Sequence, residues 1–158
     1  MNDGSPFQIN QALLDQAITA LREALGDDLL AVVLYGSRAK GEAHGQSDWD
    51  LLLIAENLPE KPLARHFFLK RALPATCRGA ISLVAKTPAE FEARVSPLYL
   101  DIALDGMILY DPKGYAAARL EKLKNLIATS GLHRLRSKDG DVWKFDKPHS
   151  EPWSLSWE

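Results

Sequence analysis

Two short apolar runs, Leu29 to Tyr35 and Leu51 to Ala55, dominate what this chain can fold into. The first is rich in leucine and valine and ends at Gly36, so it reads as a strand buried on both faces. A polar stretch from Ser37 to Ser47, with two glycines, then returns the chain to the second run, a further apolar strand. Neither run approaches the roughly 20 apolar residues that span a bilayer.

Helical patterns alternate with such strands. Leu14, Ile18, Leu21 and Leu25 step by four, three and four and line one helix face, with Asn10 placed to cap its start and Gly26 to stop it. Pro59 and Pro62 punctuate a loop, and Leu63 to Leu73 reads as a helix ending before Pro74. A third strand is expected at Ala80 to Ala85. Thr87-Pro88-Ala89-Glu90 carries the marks of a capping box with proline in the first helical position. Tyr99 to Leu104 reads as a helix, Met107 to Tyr110 as a strand, and Asp111-Pro112 as the start of a last helix through Ile127. The implied fold class is α/β (α+β), a small mixed β-sheet flanked by helices.

The character changes after Gly131. Leu132 to Arg136 and Val142 to Phe145 suit a weak hairpin around a Lys138-Asp139-Gly140-Asp141 turn. Three of the four tryptophans, Trp143, Trp153 and Trp157, fall here. They suit packing across the domain and a partner-binding surface equally. The expected organisation is residues 1–130 as the main domain and residues 131–158 as a hairpin and extended tail, packed on that domain or on a partner.

At 158 residues the chain has the length of one ordinary domain. Its net charge of −2 creates no global field toward nucleic acid or anionic lipid, so nucleic acid is not expected as a direct ligand. A lone cysteine, Cys77, excludes an intramolecular disulfide and a cysteine zinc cluster. Met1 to Pro6 lacks the basic-then-apolar order of a signal peptide, and the expected location is cytoplasmic, with no membrane partner.

Chemistry concentrates between Gly36 and Asp50. A buried strand ending in Gly36-Ser37 lets backbone amides approach a phosphate, and the Ser37 hydroxyl can donate another hydrogen bond. Arg38 and Lys40 follow. Asp48 and Asp50 open the next strand at i and i+2, which puts both carboxylates on one face and Trp49 on the other. Paired carboxylates repel unless a cation joins them, and a hard, oxygen-seeking Mg²⁺ bridging to nucleotide phosphates is the natural partner.

This segment resembles the nucleotidyltransferase signature of the DNA polymerase beta superfamily, and within it the minimal nucleotidyltransferase branch. The resemblance extends more loosely through Thr87 to Phe91 and Asp105 to Asp111. It implies a polymerase-beta-like palm fold in which Gly36, Ser37 and Arg38 bind the nucleotide of ATP. Asp48 and Asp50 would be the catalytic, metal-binding pair, holding Mg²⁺. Proteins of this branch pair with small helical HEPN toxins, so the implied activity is AMP transfer from ATP to a hydroxyl of such a partner, as an antitoxin. The sequence departs from the pattern where a third carboxylate is expected: the run Ile81-Ser82-Leu83-Val84 puts Ser82 there. Either another acid, such as Asp101 or Glu90, completes the site, or the domain acts as an antitoxin by binding alone. An aminoglycoside nucleotidyltransferase fits less well, because the tail is small for a drug-binding domain. His44 and His66 read as solvent-facing, and Cys77 as structural.

Overall fold

The computed structural model describes residues 6–41, 48–146 and 155–157. Strand β1 (Leu29–Tyr35) pairs antiparallel with β2 (Trp49–Ala55) on one side and with β4 (Met107–Tyr110) on the other. Strand β3 (Ile81–Lys86) adds parallel to β2, giving a mixed four-stranded sheet in the order β3-β2-β1-β4. The two central strands are the two apolar runs, and alternation along them feeds two cores. Val32, Leu34, Leu51, Leu53 and Ala55 face one side; Ala31, Val33, Leu52 and Ile54 face the other, all buried. A bulge between Leu29 and Ala31 shifts the alternation and turns Leu29 to the side of Val32.

On the first side lie α1 (Pro6–Leu25), α3 (Pro62–Ala72) and α4 (Ala75–Arg78), contributing Leu14, Ala17, Leu21, Leu69 and Cys77 to the core. On the second lie α5 (Pro88–Glu92), α6 (Pro97–Asp105) and α7 (Tyr115–Ser130), contributing Phe91, Leu100, Ile102 and Leu123. The capping box forms: Thr87 Oγ1 accepts from the Glu90 amide and Glu90 Oε2 from the Thr87 amide. Strand β3 sits at the edge of the sheet, where an open ladder invites stray pairing. Arg65 donates to the Ala85 carbonyl and Lys70 to the Ile81 carbonyl, so two cations from α3 cover part of that edge.

Two helix starts differ from expectation, and two short helices were not expected. Helix α1 begins at Pro6, so Asn10 is inside it and does not cap it. Helix α7 begins at Tyr115, after a turn; Asp111 still serves it, because its carboxylate accepts from the amides of Ala116 and Ala117 at 3.1 and 2.9 Å. The short helices α2 (Ser37–Lys40) and α4 have no signature in the sequence: each is a single turn of four residues, too short for a periodic apolar face.

After Gly131, β5 (Leu132–Ser137) and β6 (Gly140–Phe145) form a hairpin whose Leu132 and Trp143 are buried in the core of the second side. Trp157 is buried there too, its ring 5.2 Å from Phe91. These two tryptophans pack inward; Trp153 lies outside the described residues. Among the described residues no helix is long and apolar enough to cross a membrane.

Candidate active site

The site forms where β1 ends. Gly36 takes a positive φ of 75°, which bends the chain straight from the strand into α2, and its carbonyl accepts from the amides of Ala39 and Lys40. The bend brings residue 36 against Asp50. A β-carbon at this position would collide with Asp50 Oδ2 and lie 3.3 Å from its Cγ. Both the conformation and the space therefore demand glycine. Ser37 follows as the first residue of α2.

Asp48 immediately precedes β2, and the Trp49 amide fastens this point to the Ala80 carbonyl at 2.8 Å. Asp50 lies within the strand, on the side of Leu52 and Ile54, while Trp49 packs with the opposite core. Burial first, and the charge of Asp48 second, hold the Asp50 carboxyl above its ordinary pKa. The charge of Asp48 thus reaches the Asp50 carboxyl. Tyr35 pairs with Asp50 across β1 and β2, and its phenol is pushed up by burial and by the Asp50 charge. Tyr35 was not among the residues expected at the site; its position directly before the glycine turn is the signal that could have found it.

On the other side of Asp50, the register of β2 and β3 pairs it with Ser82, which is exposed. The serine thus stands beside the carboxylate, where the sequence pattern expects a third acid. Neither substitute acid is free to replace it. Asp101 accepts from Trp143 Nε1 at 3.0 Å and from Arg134 at 3.3 Å. Glu90 is bridged by both terminal nitrogens of Arg65 at 2.7 and 2.8 Å, and these bonds hold its carboxyl below the usual range.

The two cations of the glycine turn go separate ways. The Arg38 guanidinium lies 4.4 Å from the centre of the Trp49 ring, a cation–π contact on the side of β2 opposite Asp50. Lys40, at the end of α2, reaches Asp141 on β6 at 3.3 Å and Asp105 at the end of α6 at 3.7 Å. Arg134 on β5 holds Asp105 through two nitrogens at 2.5 and 3.1 Å and also approaches Asp141. Hydrogen bonding from Arg134, with the charges of Arg134 and Lys40, keeps the Asp105 carboxyl below its ordinary range. The glycine turn is in this way tied to α6 and to the hairpin. Glu42 and His44 lie outside the described residues.

A mixed sheet whose central strands carry a glycine turn and an Asp-x-Asp pair is the catalytic core of a nucleotidyltransferase. The family model described as "Polymerase beta, Nucleotidyltransferase" matches residues 16–95, from α1 through α5. The chain belongs to this family. It is 33% identical over 119 residues to the "Putative protein adenylyltransferase MJ1305" of Methanocaldococcus jannaschii, covering 73% of this chain and 81% of that protein. Among solved structures it is similar to a toxin–antitoxin with AMP-PNP, with a TM-score of 0.53 and 21% identity over 72% of this chain and 86% of that one. It is also similar to a chain of the tri-AMPylated HEPN toxin of Shewanella oneidensis in complex with MNT antitoxin. That match has a TM-score of 0.52 and 18% identity over 75% of this chain and 86% of the other. At these identities the structural likeness speaks to the fold.

Proposed function

We propose that this nucleotidyltransferase moves AMP from ATP to a hydroxyl of a partner protein, a HEPN-type toxin that it silences as an antitoxin. The observation that carries the reading is an Asp-x-Asp pair whose second carboxylate lies against a turn that only glycine can make. The relative named for protein adenylyl transfer and the toxin–antitoxin neighbours supply the acceptor class.

In this reading the backbone of Gly36 and Ser37 receives the β- and γ-phosphates, since the first amides of a helical turn have no partner inside the turn. Asp48 and Asp50 fit a hard divalent cation. Among the described residues no group of three or more histidines, cysteines and acids could hold a metal. Mg²⁺, which keeps several waters and binds through one or two carboxylates plus phosphates, would suit such a pair. When bound, Mg²⁺ neutralises charge on the phosphate oxygens during transfer. The acceptor hydroxyl gives its proton to water as its oxygen bonds to the α-phosphorus, while the bond to the β-phosphate oxygen breaks and pyrophosphate leaves. Arg38 supports the site through Trp49, bracing the turn against β2. We assign residues 1–130 to the transferase proper and residues 131–158 to a hairpin and tail, whose hairpin braces the glycine turn through Asp141.

A second reading follows from Ser82. Without a third carboxylate, the domain binds its partner and nucleotide with slow or no turnover. One experiment separates the two: transfer of label from α-labelled ATP to a co-expressed HEPN-type partner, with Asp48→Asn/Asp50→Asn as control. Label on the partner that vanishes with the double variant supports the transferase. A stable complex without label supports binding alone.

A further inference from the structure

The order of strands gives transfer a direction. The Gly36 turn closes β1, Asp50 lies on β2 and Ser82 on β3, side by side across the end of the sheet. In-line displacement places the attacking and leaving oxygens on opposite sides of the phosphorus. With pyrophosphate leaving over the Gly36 turn, as proposed above, the acceptor must come from the β3 side.

A cleft lies there. It occupies about 620 Å³ between α3 and the edge of β3, and its lining includes both Asp48 and Ser82. That volume is within the roughly 300–1,000 Å³ typical of sites that enclose a ligand group. Its walls carry the cations Arg65, Lys70, Arg78 and Lys86, against the single further acid Glu60. Arg65 is neutralised by Glu90. Lys70 and Arg78 instead donate to backbone carbonyls, of Arg78 and Ile81 and of Lys70 and Leu73 respectively. These bonds fix the two side chains but leave their charge in the cleft. Leu63 and Phe67, at i and i+4 on α3, each follow a cleft residue, Pro62 and His66, and are 67% and 53% exposed, with Phe67 in edge contact with His66.

We infer that this cleft docks the acceptor, and that its ligand is an acidic protein segment carrying the hydroxyl that receives AMP. The inference rests on the transferase reading for its direction, but binding in the cleft can be measured without turnover. Cationic walls favour flanking carboxylates on the incoming segment. The apolar pair Leu63 and Phe67 gives an adjoining side chain of the partner a place to bury. Ser82, small and exposed, leaves room beside Asp50 for the incoming oxygen.

The test is a titration of the isotope-labelled full chain, followed by backbone amide resonances. The probes are a synthetic pentapeptide with tyrosine between pairs of glutamates and the same peptide with lysines in their place. The glutamate peptide is expected to shift the signals of Lys70, Ser82 and Lys86. The lysine peptide should bind at least about fivefold more weakly, and added salt should weaken the glutamate peptide. Replacing the exposed pair, Leu63→Ser with Phe67→Ser, should reduce affinity for the glutamate peptide by about threefold or more without moving core signals. Shifts confined to the Gly36 turn or the hairpin, equal binding of both peptides, or no shifts at all would overturn the inference. Failure of the transferase reading would show elsewhere, as no label transferred while the peptide still maps to the cleft.

Discussion

Helix α2 is only four residues long, yet its two ends lie in opposite electrostatic settings. At its start, Gly36 touches Asp50, whose carboxyl burial and Asp48 hold above the ordinary range. At its end, Lys40 joins Arg134 in a cluster with Asp101, Asp105 and Asp141, where Asp105 is held below it. Acids supplied with partners stabilise a fold; a carboxylate buried beside another acid costs stability. The contrast sorts the acids of this chain better than their spacing does, because it separates Asp101 and Glu90, which are already bonded, from Asp48 and Asp50.

The severest way to break the first setting is Gly36→Ala. The added carbon meets Asp50 Oδ2 and forces an alanine into positive φ. The expected cost is about 1–3 kcal/mol of stability, read by denaturant unfolding. Displacing the carboxylate should lower AMP transfer by about a hundredfold or more, since misplacement by about an ångström has that effect. A variant that folds and transfers normally would remove the glycine turn from the mechanism.

The second setting is broken by Arg134→Ala. Asp101, Asp105 and Asp141 then all lose their guanidinium partner, and the contact of Arg134 with Trp143 is lost. The expected loss is about 2 kcal/mol, less than for a fully buried pair because the side chains are partly solvated. High salt should narrow the difference from the parent chain. An equal midpoint in urea for the two proteins would mean that the cluster is a surface decoration.

Much of this was legible from residue order, for a physical reason. The four strands of the main sheet are short apolar runs closed by glycine, proline or charge, and the capping box at Thr87 and Glu90 is a local device. The Asp48–Asp50 alternation is likewise local. What could not be read depends on contacts far apart in sequence: Lys40 to Asp141, Arg134 to Asp105, Trp157 to Phe91. Arg38 shows the limit best. Residue order alone puts it after Gly36-Ser37, and its cation–π contact with Trp49 is visible only in the packing. The boundary of α7 was missed because Asp111 caps it from beyond a turn, five and six residues ahead of the amides it receives.

Ser82→Asp sharpens the comparison by adding a third acid to the unneutralised end. Its register partner is Asp50, so a carboxylate there joins the pair that the signature expects. If the domain is a weakened transferase, transfer should rise by about tenfold and saturate at lower Mg²⁺, the scale of one well-placed electrostatic group. Without Mg²⁺ the same variant should be less stable than its parent, because three like charges then share the site. No gain in transfer at any Mg²⁺ concentration would favour the domain that acts by binding alone.

The smallest expected effects carry opposite signs and so test both ends of α2 at once. Asp50 has a folded pKa above its unfolded value, so its ionisation opposes folding: the cost is absent at low pH and complete once pH exceeds the folded pKa. Asp50→Asn should therefore stabilise the chain at neutral pH, by up to about 1 kcal/mol after allowance for solvent screening. Asp105 has a folded pKa below its unfolded value. Its contribution is full above the unfolded pKa, near 4 for an aspartate, and is lost as pH falls through the folded pKa. Asp105→Asn should accordingly destabilise at neutral pH and flatten the loss of stability in acid, whereas Asp50→Asn should steepen it. Thermal unfolding of the two variants between neutral and acidic pH reads both slopes. If both variants lower stability at neutral pH, Asp50 is a structural acid like Asp105, and the glycine turn is held for the fold and not for a nucleotide.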